Sequence, residues 1–283
     1  MTKKFYMEKV VVALKEEKWM PRFQSMTERL RQEGIDVRML RADVGQCLAE
    51  FAQGDSVLYI TDCNQIVALL QERRLPILGF LHEGGDSLPG VAYLMESPEE
   101  LELQYAERVY RRYREIPWDI LETERCILRE TVPEDVDAFY EIYQHPDITK
   151  YTEDLYPDKE QERAYIQEYI EKVYRYFEFG VWTVILKETG EIIGRAGFSV
   201  REGYELPELG YVIGVPWQGR GLAYEICSAI LRYGKEEYAF DCVQTLVDSE
   251  NTASLALCHK LGFTTEGRVP GIQGEYIFLC KKL

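Results

Sequence analysis

The stretch VPWQGRGLAYEICSAI, residues 215–230, places a glycine-rich loop directly before a segment with helical hydrophobic spacing. Apolar residues recur at Ala223, Ile226, Cys227 and Ile230, as in a helix with one buried face. The N–H groups in the first turn of such a helix have no partner within the helix, and with the helix dipole they attract an anion. Glycines let the backbone wrap a diphosphate, because they have no Cβ. Taken alone, the loop predicts either plain turn chemistry or a phosphate site.

The segment just before this loop, ELGYVIGV at residues 208–215, alternates like a strand with two different faces. One face is apolar and predicts a core contact: Leu209, Tyr211, Ile213 and Val215. The other face carries a carboxylate followed by two glycines: Glu208, Gly210, Val212 and Gly214. Glycine in a strand costs stability, and it marks either a bulge or the close approach of a ligand. On the second interpretation, backbone lies uncovered beside an acid.

The composition is that of an acidic globular protein. The 283 residues carry a formal net charge of −16, with 46% hydrophobic and 29% charged residues, and this length fits about two domains. No run of Lys or Arg exceeds two residues, so the clustered cations that neutralise phosphates are missing and nucleic-acid binding is not expected. The acidity fits either a cationic substrate, such as an amine or polyamine, or simple solubility.

The cysteines and the apolar runs bear on the compartment. Seven scattered cysteines, an odd number with no CxxC pair, fit a reducing compartment and offer no zinc spacing. The apolar run at residues 10–14 is too short for a signal peptide. No run approaches the roughly 18 apolar residues of a membrane span. We therefore expect a cytoplasmic protein with neither a metal site nor a membrane contact.

Residues 1–118 predict an α/β domain with a mostly parallel, Rossmann-like sheet, because short apolar strands alternate with helices. The predicted strands lie at residues 8–14, 36–40, 56–62, 76–82 and 90–95, and the predicted helices at 21–34, 44–54, 64–74 and 98–113. Thr61 and Asp62 fall at the carboxyl end of a strand, where open α/β sheets bind ligands. Asp62 is interpreted either as part of such a site or as the cap of the next helix.

Part of this first domain, LYITDCNQIVALLQERRLPILGF with GVAYLMESPEEL, loosely resembles the C-terminal half of haloacid-dehalogenase-type phosphatases. No DxD nucleophile pair follows the first strand, so the resemblance implies no catalysis. We expect the domain to regulate, to oligomerise or to position substrate, and we leave a homodimer open.

Residues 119–283 predict an α+β domain with a mixed, largely antiparallel sheet. Hairpin-like strands lie in its middle, and helices come before and after them. The predicted strands lie at 125–130, 180–188, 190–200, 208–215, 242–248, 263–269 and 274–282, and the predicted helices at 133–144, 157–177, 222–235 and 252–262. The boundary is placed near Pro117, which ends the preceding helix.

Three motifs in this second domain together resemble the GNAT superfamily of N-acetyltransferases. QGRGLA fits its Q/R-x-x-G-x-G/A cofactor loop, and NTASLALCHKLGF looks like its N-x-x-S…K-x-G-F segment. LETERCILRE resembles the opening strand of the Rim-type branch, which acetylates the N-termini of ribosomal proteins. The matches occur in the family's order and span residues 121–283.

The resemblance implies acetyl-CoA as the acyl donor. The pantetheine arm would pair with the strand like an added strand, and a backbone N–H near Val212 or Ile213 would polarise the thioester carbonyl. The amides of residues 218–223 would hold the pyrophosphate, and Asn251 and Ser254 would add polar contacts, Asn251 also as a helix cap. The implied CoA residues are Tyr211, Val212, Ile213, Gly214, Val215, Gln218, Gly219, Arg220, Gly221, Leu222, Ala223, Asn251 and Ser254.

The implied mechanism is the direct attack of a neutral amine on the thioester while both substrates are bound. An ammonium has no lone pair, so some group must take a proton. Glu208 is the candidate base, with a structural carboxylate as the alternative. Many family members place a Tyr, the acid for the leaving thiolate, where this chain has Cys258. Ser254, Cys258 or water is left as proton donor, and a buried apolar Cys258 is the alternative.

The acceptor pocket is expected from the first two helices of this domain and the loop between them. In that loop, Tyr151, Glu153, Asp154 and Tyr156 could hold a cationic amine, or they could form a solvated acidic loop. His145 and Trp182 are given no role.

Two classes of function follow. The leading hypothesis is an N-acetyltransferase that acts on a primary amine of a small molecule or peptide. The alternative is an acetyl-CoA-binding regulator, or sensor, without turnover. A carboxylate at Glu208 with free access to an amine favours the enzyme, and a filled acceptor pocket favours the sensor. In a third hypothesis, the first domain is a phosphate-ligand module fused to the transferase.

Overall fold

The computed structural model describes residues 5–51, 56–271 and 274–283. The chain divides into two compact units, Met1–Trp118 and Asp119–Leu283, called unit 1 and unit 2 below.

Within the described residues, unit 1 forms a parallel sheet of five strands in the order β2-β1-β3-β4-β5. The strands are β1 Lys9–Leu14, β2 Asp36–Arg41, β3 Val57–Thr61, β4 Ile77–Phe80 and β5 Leu94–Met95. The helices are α1 Gln24–Gln32, α2 Val44–Phe51, α3 Asn64–Glu72 and α4 Leu103–Tyr113. The prediction of a parallel sheet in this part of the chain is confirmed.

The central strand β1 shows why its sequence is apolar throughout. Val10, Val12 and Leu14 belong to one core cluster, whereas Val11 and Ala13 belong to another. Successive side chains of a strand point to opposite faces, and a parallel sheet is covered on both. The sequence of a strand that is buried on both sides is therefore apolar without interruption.

Two helices of unit 1 begin later than predicted. Glu17–Phe23 is a 3-10 turn that contains Pro21, so α1 begins only at Gln24 and its chain turns at Gly34, with a φ of +88°. Pro98–Glu100 is likewise a 3-10 turn before α4. The predicted helix 44–54 ends in residues that lie outside the described part of the chain.

Asp62 corrects one interpretation from the sequence. The residue that caps α3 is Cys63, without a side-chain bond. One oxygen of the Asp62 carboxylate accepts the amide N–H of Lys15 at 2.8 Å, and the other lies 3.1 Å from Nε2 of His82. The amide of Asn64 donates to Asp86 instead. The cap interpretation of Asp62 is therefore wrong, because its carboxylate is engaged with Lys15 and His82 and Asp86 accepts the Asn64 amide.

Unit 2 forms a sheet of eight strands within the described residues, in the order β12-β13-β11-β10-β9-β8-β7-β6. The strands are β6 Asp119–Glu122, β7 Cys126–Arg129, β8 Val181–Leu186, β9 Ile192–Ser199, β10 Glu208–Ile213, β11 Cys242–Asp248, β12 Thr264–Pro270 and β13 Glu275–Lys282. The helices are α5 Val136–Tyr143, α6 Pro146–Thr149, α7 Lys159–Tyr169, α8 Arg175–Phe177, α9 Leu222–Tyr238 and α10 Thr252–Lys260. All strand pairs are antiparallel except β10 with β11, so the prediction of a mixed, largely antiparallel sheet is confirmed.

Three features of unit 2 were missed from the sequence. β6 lies in the segment interpreted as the domain boundary, and α6 lies in the loop between the first two helices. The predicted helix 157–177 contains a π-turn at Ile170–Tyr174. Each is four or five residues long, too short for hydrophobic periodicity to reveal.

Helix α9 packs against the sheet by the face that its spacing predicts. Ile226, Cys227 and Ile230 are fully buried in the core of unit 2. This packing fixes the position of the glycine-rich loop at the start of α9. In the described part of the chain, no helix combines the length and apolarity needed to cross a membrane.

Candidate active site

Strands β10 and β11 separate soon after they meet. Within the described residues they pair at one position only, Glu208 with Gln244, where the Gln244 amide donates to the carbonyl of Pro207 at 2.9 Å. On its other side β10 pairs with β9 along its whole length. Beyond Glu208, one edge of β10 therefore has no strand partner in the part of the chain that the structure describes.

The backbone groups at this free edge follow from the register of β10. The Gly214 amide donates to Ile193 of β9 at 2.8 Å, so every second residue from there, Val212 included, faces β9. The amides of Tyr211 and Ile213 consequently face the side where β11 has separated. The side-chain amide of Gln218 donates to the Ile213 carbonyl at 2.8 Å, which agrees with that direction.

Two cavities lie beside this edge. The acidic cavity, of about 510 Å³, is lined by Glu208 and Gly210 among others. The loop cavity, of about 590 Å³, is lined by the glycine loop and the start of α9. The two share the wall residues Tyr151, Thr152, Tyr211, Val212, Asn251 and Ser254. A molecule in each cavity would therefore meet the other at β10.

The glycine loop has the conformation that its sequence requires. Gly219 and Gly221 have φ values of +73° and +78°, in the left-handed region that favours glycine. Gly221 caps α9, so the next amides point out of the helix end. The guanidinium of Arg125 donates to the carbonyl of Arg220 at 2.9 Å and to Glu225 of α9 at 2.7 Å. Arg125 thus fixes the loop from the segment before β7, a contact that the sequence did not predict.

Most of the residues assigned to CoA from the motifs line the loop cavity. They are Tyr211, Val212, Ile213, Gln218, Gly219, Gly221, Leu222, Ala223, Asn251 and Ser254. Gly214, Val215 and Arg220 are not among its described wall residues. Two lysines that the sequence analysis did not select, Lys150 and Lys260, also line this cavity, and Lys260 lies 4.4 Å from the centre of the Tyr224 ring.

The two glycines of β10 and its extension differ in their surroundings. A Cβ at Gly210 would meet no atom within 4 Å among the described residues, so the backbone there is open to the acidic cavity. A Cβ at Gly214 would lie 2.7 Å from the ring of Trp217. The expectation of uncovered backbone is therefore right for Gly210 and wrong for Gly214. At Gly214 the Trp217 ring packs on the backbone and leaves no room for a Cβ.

Glu208 is buried at the wall of the acidic cavity and is ion-paired. Both of its carboxylate oxygens are bound by Arg201, from the β9–β10 loop, one through Nε and the other through Nη2 at 3.2 Å. The hydrogen bond to Glu208 raises the pKa of Arg201. Each carboxylate oxygen has a further lone pair that can accept a hydrogen bond from a donor in the cavity. The sequence patterns did not predict a role for Arg201.

Asn251, Ser254 and Tyr211 form a connected polar group at the shared wall. Asn251 caps α10, because its side-chain oxygen accepts the Ser254 amide at 3.1 Å. The hydroxyl of Tyr211 donates to Oγ of Ser254 at 2.9 Å. Burial raises the pKa of Tyr211, so its phenol stays protonated. Ser254 therefore lies at the wall of both cavities with a hydroxyl neighbour.

Cys258 lies one turn further along α10, inside the core. It is 1% exposed and is not among the described residues that line either cavity. Burial raises the pKa of its thiol to about 11. Its surroundings are those of a buried apolar side chain.

The loop after α6 contributes a full wall of the acidic cavity. Tyr151, Glu153, Asp154 and Tyr156, all selected from the sequence, line it. The described wall residues that can carry charge are Glu153, Asp154, Glu162, Glu208 and Asp248 with Arg195 and Arg201. Carboxylates thus outnumber guanidiniums, and the field favours a cation. His145 is instead the cap of α6, and Trp182 is fully buried in the core.

Comparison with known proteins agrees with this geometry. The family model of the acetyltransferase (GNAT) domain matches residues 125–264. An uncharacterised N-acetyltransferase, p20 of Bacillus licheniformis, is 32% identical over 151 residues, which cover 53% of this chain and 84% of the relative. The [ribosomal protein uS5]-alanine N-acetyltransferase of Escherichia coli is 37% identical over 93 residues, 32% of this chain and 46% of that enzyme.

A solved structure shows the same fold. The GNAT-family acetyltransferase structure from Bordetella pertussis superposes with a TM-score of 0.52 at 22% identity, covering 58% of this chain and 99% of that one. The matches confirm the resemblance that the three sequence motifs predict.

Proposed function

The chain belongs to the GNAT family of acyl-CoA-dependent acetyltransferases, and from that premise we propose that it transfers an acetyl group directly from acetyl-CoA to a primary amine. The acceptor would be a small molecule or a peptide bound in the acidic cavity, with acetyl-CoA in the loop cavity. The observation that supports this proposal is the wall at Tyr211 and Val212 that both cavities share, because two substrates bound in these cavities would meet there.

We assign the donor site to the loop cavity. The amides of residues 218–223 would hold the pyrophosphate at the start of α9, where the helix dipole favours an anion. The pantetheine would run along the free edge of β10, since the Tyr211 and Ile213 amides face that way. Lys150 and Lys260 would add positive charge near the phosphates.

The same edge offers a hydrogen-bond donor for the reaction. As the amine attacks, negative charge develops on the thioester oxygen, and a fixed backbone N–H stabilises it. The register favours the amide of Tyr211 or Ile213 for this role over that of Val212, which is directed toward β9. No covalent enzyme intermediate is needed, because the amine itself is the nucleophile.

Glu208 would take the proton that the amine must lose, directly or through water. Its carboxylate lies at the wall of the acidic cavity beside Arg201, where it would attract the ammonium form of the amine. Because Arg201 already binds both carboxylate oxygens, we favour a relay of the proton through water. We propose that the pair first binds the amine and then passes its proton on.

Ser254 is the proposed proton donor to the leaving thiolate. It lines both cavities and is hydrogen-bonded to Tyr211, from which a proton could follow. Cys258, the other candidate, would act through Ser254, because its thiol lies in the core.

Unit 1 is proposed to be a separate domain that regulates, oligomerises or positions substrate. Its support is the parallel sheet of its own, with two core clusters, described above.

The experiment is a screen of acetyl-CoA turnover against polyamines, aminoglycosides, amino acids and peptides, read as free thiol released above an amine-free control. We expect release with at least one class of amine. Binding of acetyl-CoA without release on any amine would favour the alternative, a regulatory protein that senses acetyl-CoA. The open acidic cavity favours the enzyme, since a sensor has no need of an acceptor site.

A further inference from the structure

Arg195 occupies an unusual position in the wall of the acidic cavity. It lies on β9, in register with Val212 of β10, and lines that cavity. Its guanidinium lies 4.8 Å from the centre of the Phe139 ring. Its Nε is buried and has no hydrogen-bond partner within the described residues. The structure thus partly buries a cation and leaves one of its donors unused.

The neighbouring arginines differ, because each is matched by a carboxylate. Arg201 is bound to Glu208, and Arg129 donates through two nitrogens to Asp135. Arg195 has no carboxylate within 4 Å in the part of the chain that the structure describes. Because burying part of a charged group without a partner is costly, an anion bound in the cavity would supply the partner that the described residues do not.

Neutral donors surround this guanidinium. Tyr143 and Tyr165 line the same wall as Arg195, and Arg195 acts electrostatically on both phenols. Burial raises the pKa of both phenols, so they keep their protons and can donate. A guanidinium fork with phenolic donors suits an anion with several oxygens, such as a carboxylate or phosphate.

One carboxylate of the same wall offers a competing explanation. Glu162 is buried, and its Oε2 accepts the amide of Tyr156 at 3.1 Å. Glu162 lies beyond ion-pair distance from Arg195, but its charge raises the pKa of Tyr143 and Tyr165, whereas that of Arg195 lowers it. If the charge of Glu162 balanced that of Arg195 at a distance, Arg195 would stabilise the folded protein and would not bind the acceptor.

We propose that Arg195 binds an anionic group of the acceptor, so that the acceptor is a zwitterion with a carboxylate or phosphate a few bonds from its amine. The inference rests on the proposed function, because it places the amine at the wall shared by the two cavities. Arg195 and Val212 are opposite one another on adjacent strands, with Cβ atoms about 5 Å apart, so the two groups belong to one short molecule or chain end. The carboxylates of the cavity would then hold the ammonium end.

The test measures binding before turnover. Standard α-amino acids, each as free acid and as carboxamide, are titrated into the full-length protein saturated with CoA, which cannot transfer acetyl. Serine amide and O-phosphoserine amide form a second pair, which separates phosphate from carboxylate recognition. We expect an anionic form to bind roughly 10- to 100-fold more tightly than its neutral counterpart, as for a hydrogen-bonded charge.

Substitutions then show whether Arg195 causes the preference for the anionic form. Arg195→Met keeps the apolar stem against Phe139 and should remove the preference for the anionic form, while Arg195→Lys should keep part of it. Arg201→Met is the matched control, since it removes a cation of the same cavity that is already paired, and it should change the affinity for both forms by the same factor. CoA affinity, measured in parallel, shows that each variant is folded.

Each outcome decides the proposal. No preference for any anionic form in the unaltered protein overturns it, and so does a preference that survives in Arg195→Met. Stability that is lost in Arg195→Met and restored by adding Glu162→Gln, with acceptor preference unchanged, would assign Arg195 to Glu162. Arg195-dependent binding without any acetyl transfer from acetyl-CoA would uphold this inference and refute the proposed function instead.

Discussion

Replacing Gly221 with Ala tests the glycine loop without adding a steric clash. Within the described residues, the nearest atom to an added Cβ is Nη2 of Arg125, at 3.7 Å, which is ordinary van der Waals contact. The cost therefore comes from the backbone, because a φ of +78° is left-handed. Holding a residue with a Cβ in that region costs about 1–2 kcal/mol.

That cost should appear in CoA binding. If the free loop of Gly221→Ala relaxes to a negative φ, binding must restore the strained form, and 1–2 kcal/mol corresponds to a dissociation constant raised about 5- to 30-fold. Isothermal titration of CoA measures this ratio directly, and thermal unfolding gives the loss of stability.

Gly190 offers the matched control. It lies in the turn between β8 and β9 with a φ of +75°, and a Cβ there would meet no described atom within 4 Å. Gly190→Ala should lower Tm by about 2–8 °C through the same strain and leave CoA affinity unchanged. If Gly221→Ala bound CoA as tightly as the unaltered protein while losing stability like Gly190→Ala, the loop would not hold the pyrophosphate.

Substitutions at three further residues, with controls, separate roles at the site. Glu208→Gln should lower turnover more near neutral pH, where the acceptor is mostly ammonium, than at high pH. The control Glu275→Gln, which breaks an exposed ion pair with Arg268, should leave the pH dependence of turnover unchanged. An unchanged pH–rate profile in Glu208→Gln would exclude Glu208 from proton transfer. Asn251→Ala should cost about 0.5–2 kcal/mol of stability by removing the α10 cap. Asn251→Ser should keep that stability, and any loss of CoA affinity that remains would then report a direct contact. Cys258→Ala should lower stability by about 1 kcal/mol and leave kcat unchanged, whereas a tenfold fall in kcat would make the thiol a proton donor.

Local features of this protein were predictable because they depend on neighbouring residues. The left-handed glycines at positions 219 and 221 follow from the turn into α9, and the Asn251 cap joins residues three apart. The parallel sheet of unit 1 follows from apolar runs alternating with helices. Most of the loop-cavity wall lies on these segments, so the sequence by itself determined the family and led to the donor site that we propose.

The surroundings of the acidic cavity, our proposed acceptor site, were decided by the tertiary structure. Tyr211 meets Ser254 across 43 residues, and Trp217 covers Gly214 by folding back on the strand end. Arg201 reaches Glu208 only because the turn after β9 brings it there, and Arg195 is next to Val212 only through the register of the sheet. Alternation along one strand fixes which face a side chain takes, but not what the neighbouring strand or helix places opposite it. The charge pattern of the acidic cavity therefore arises from contacts between separate segments, which no single stretch of sequence specifies.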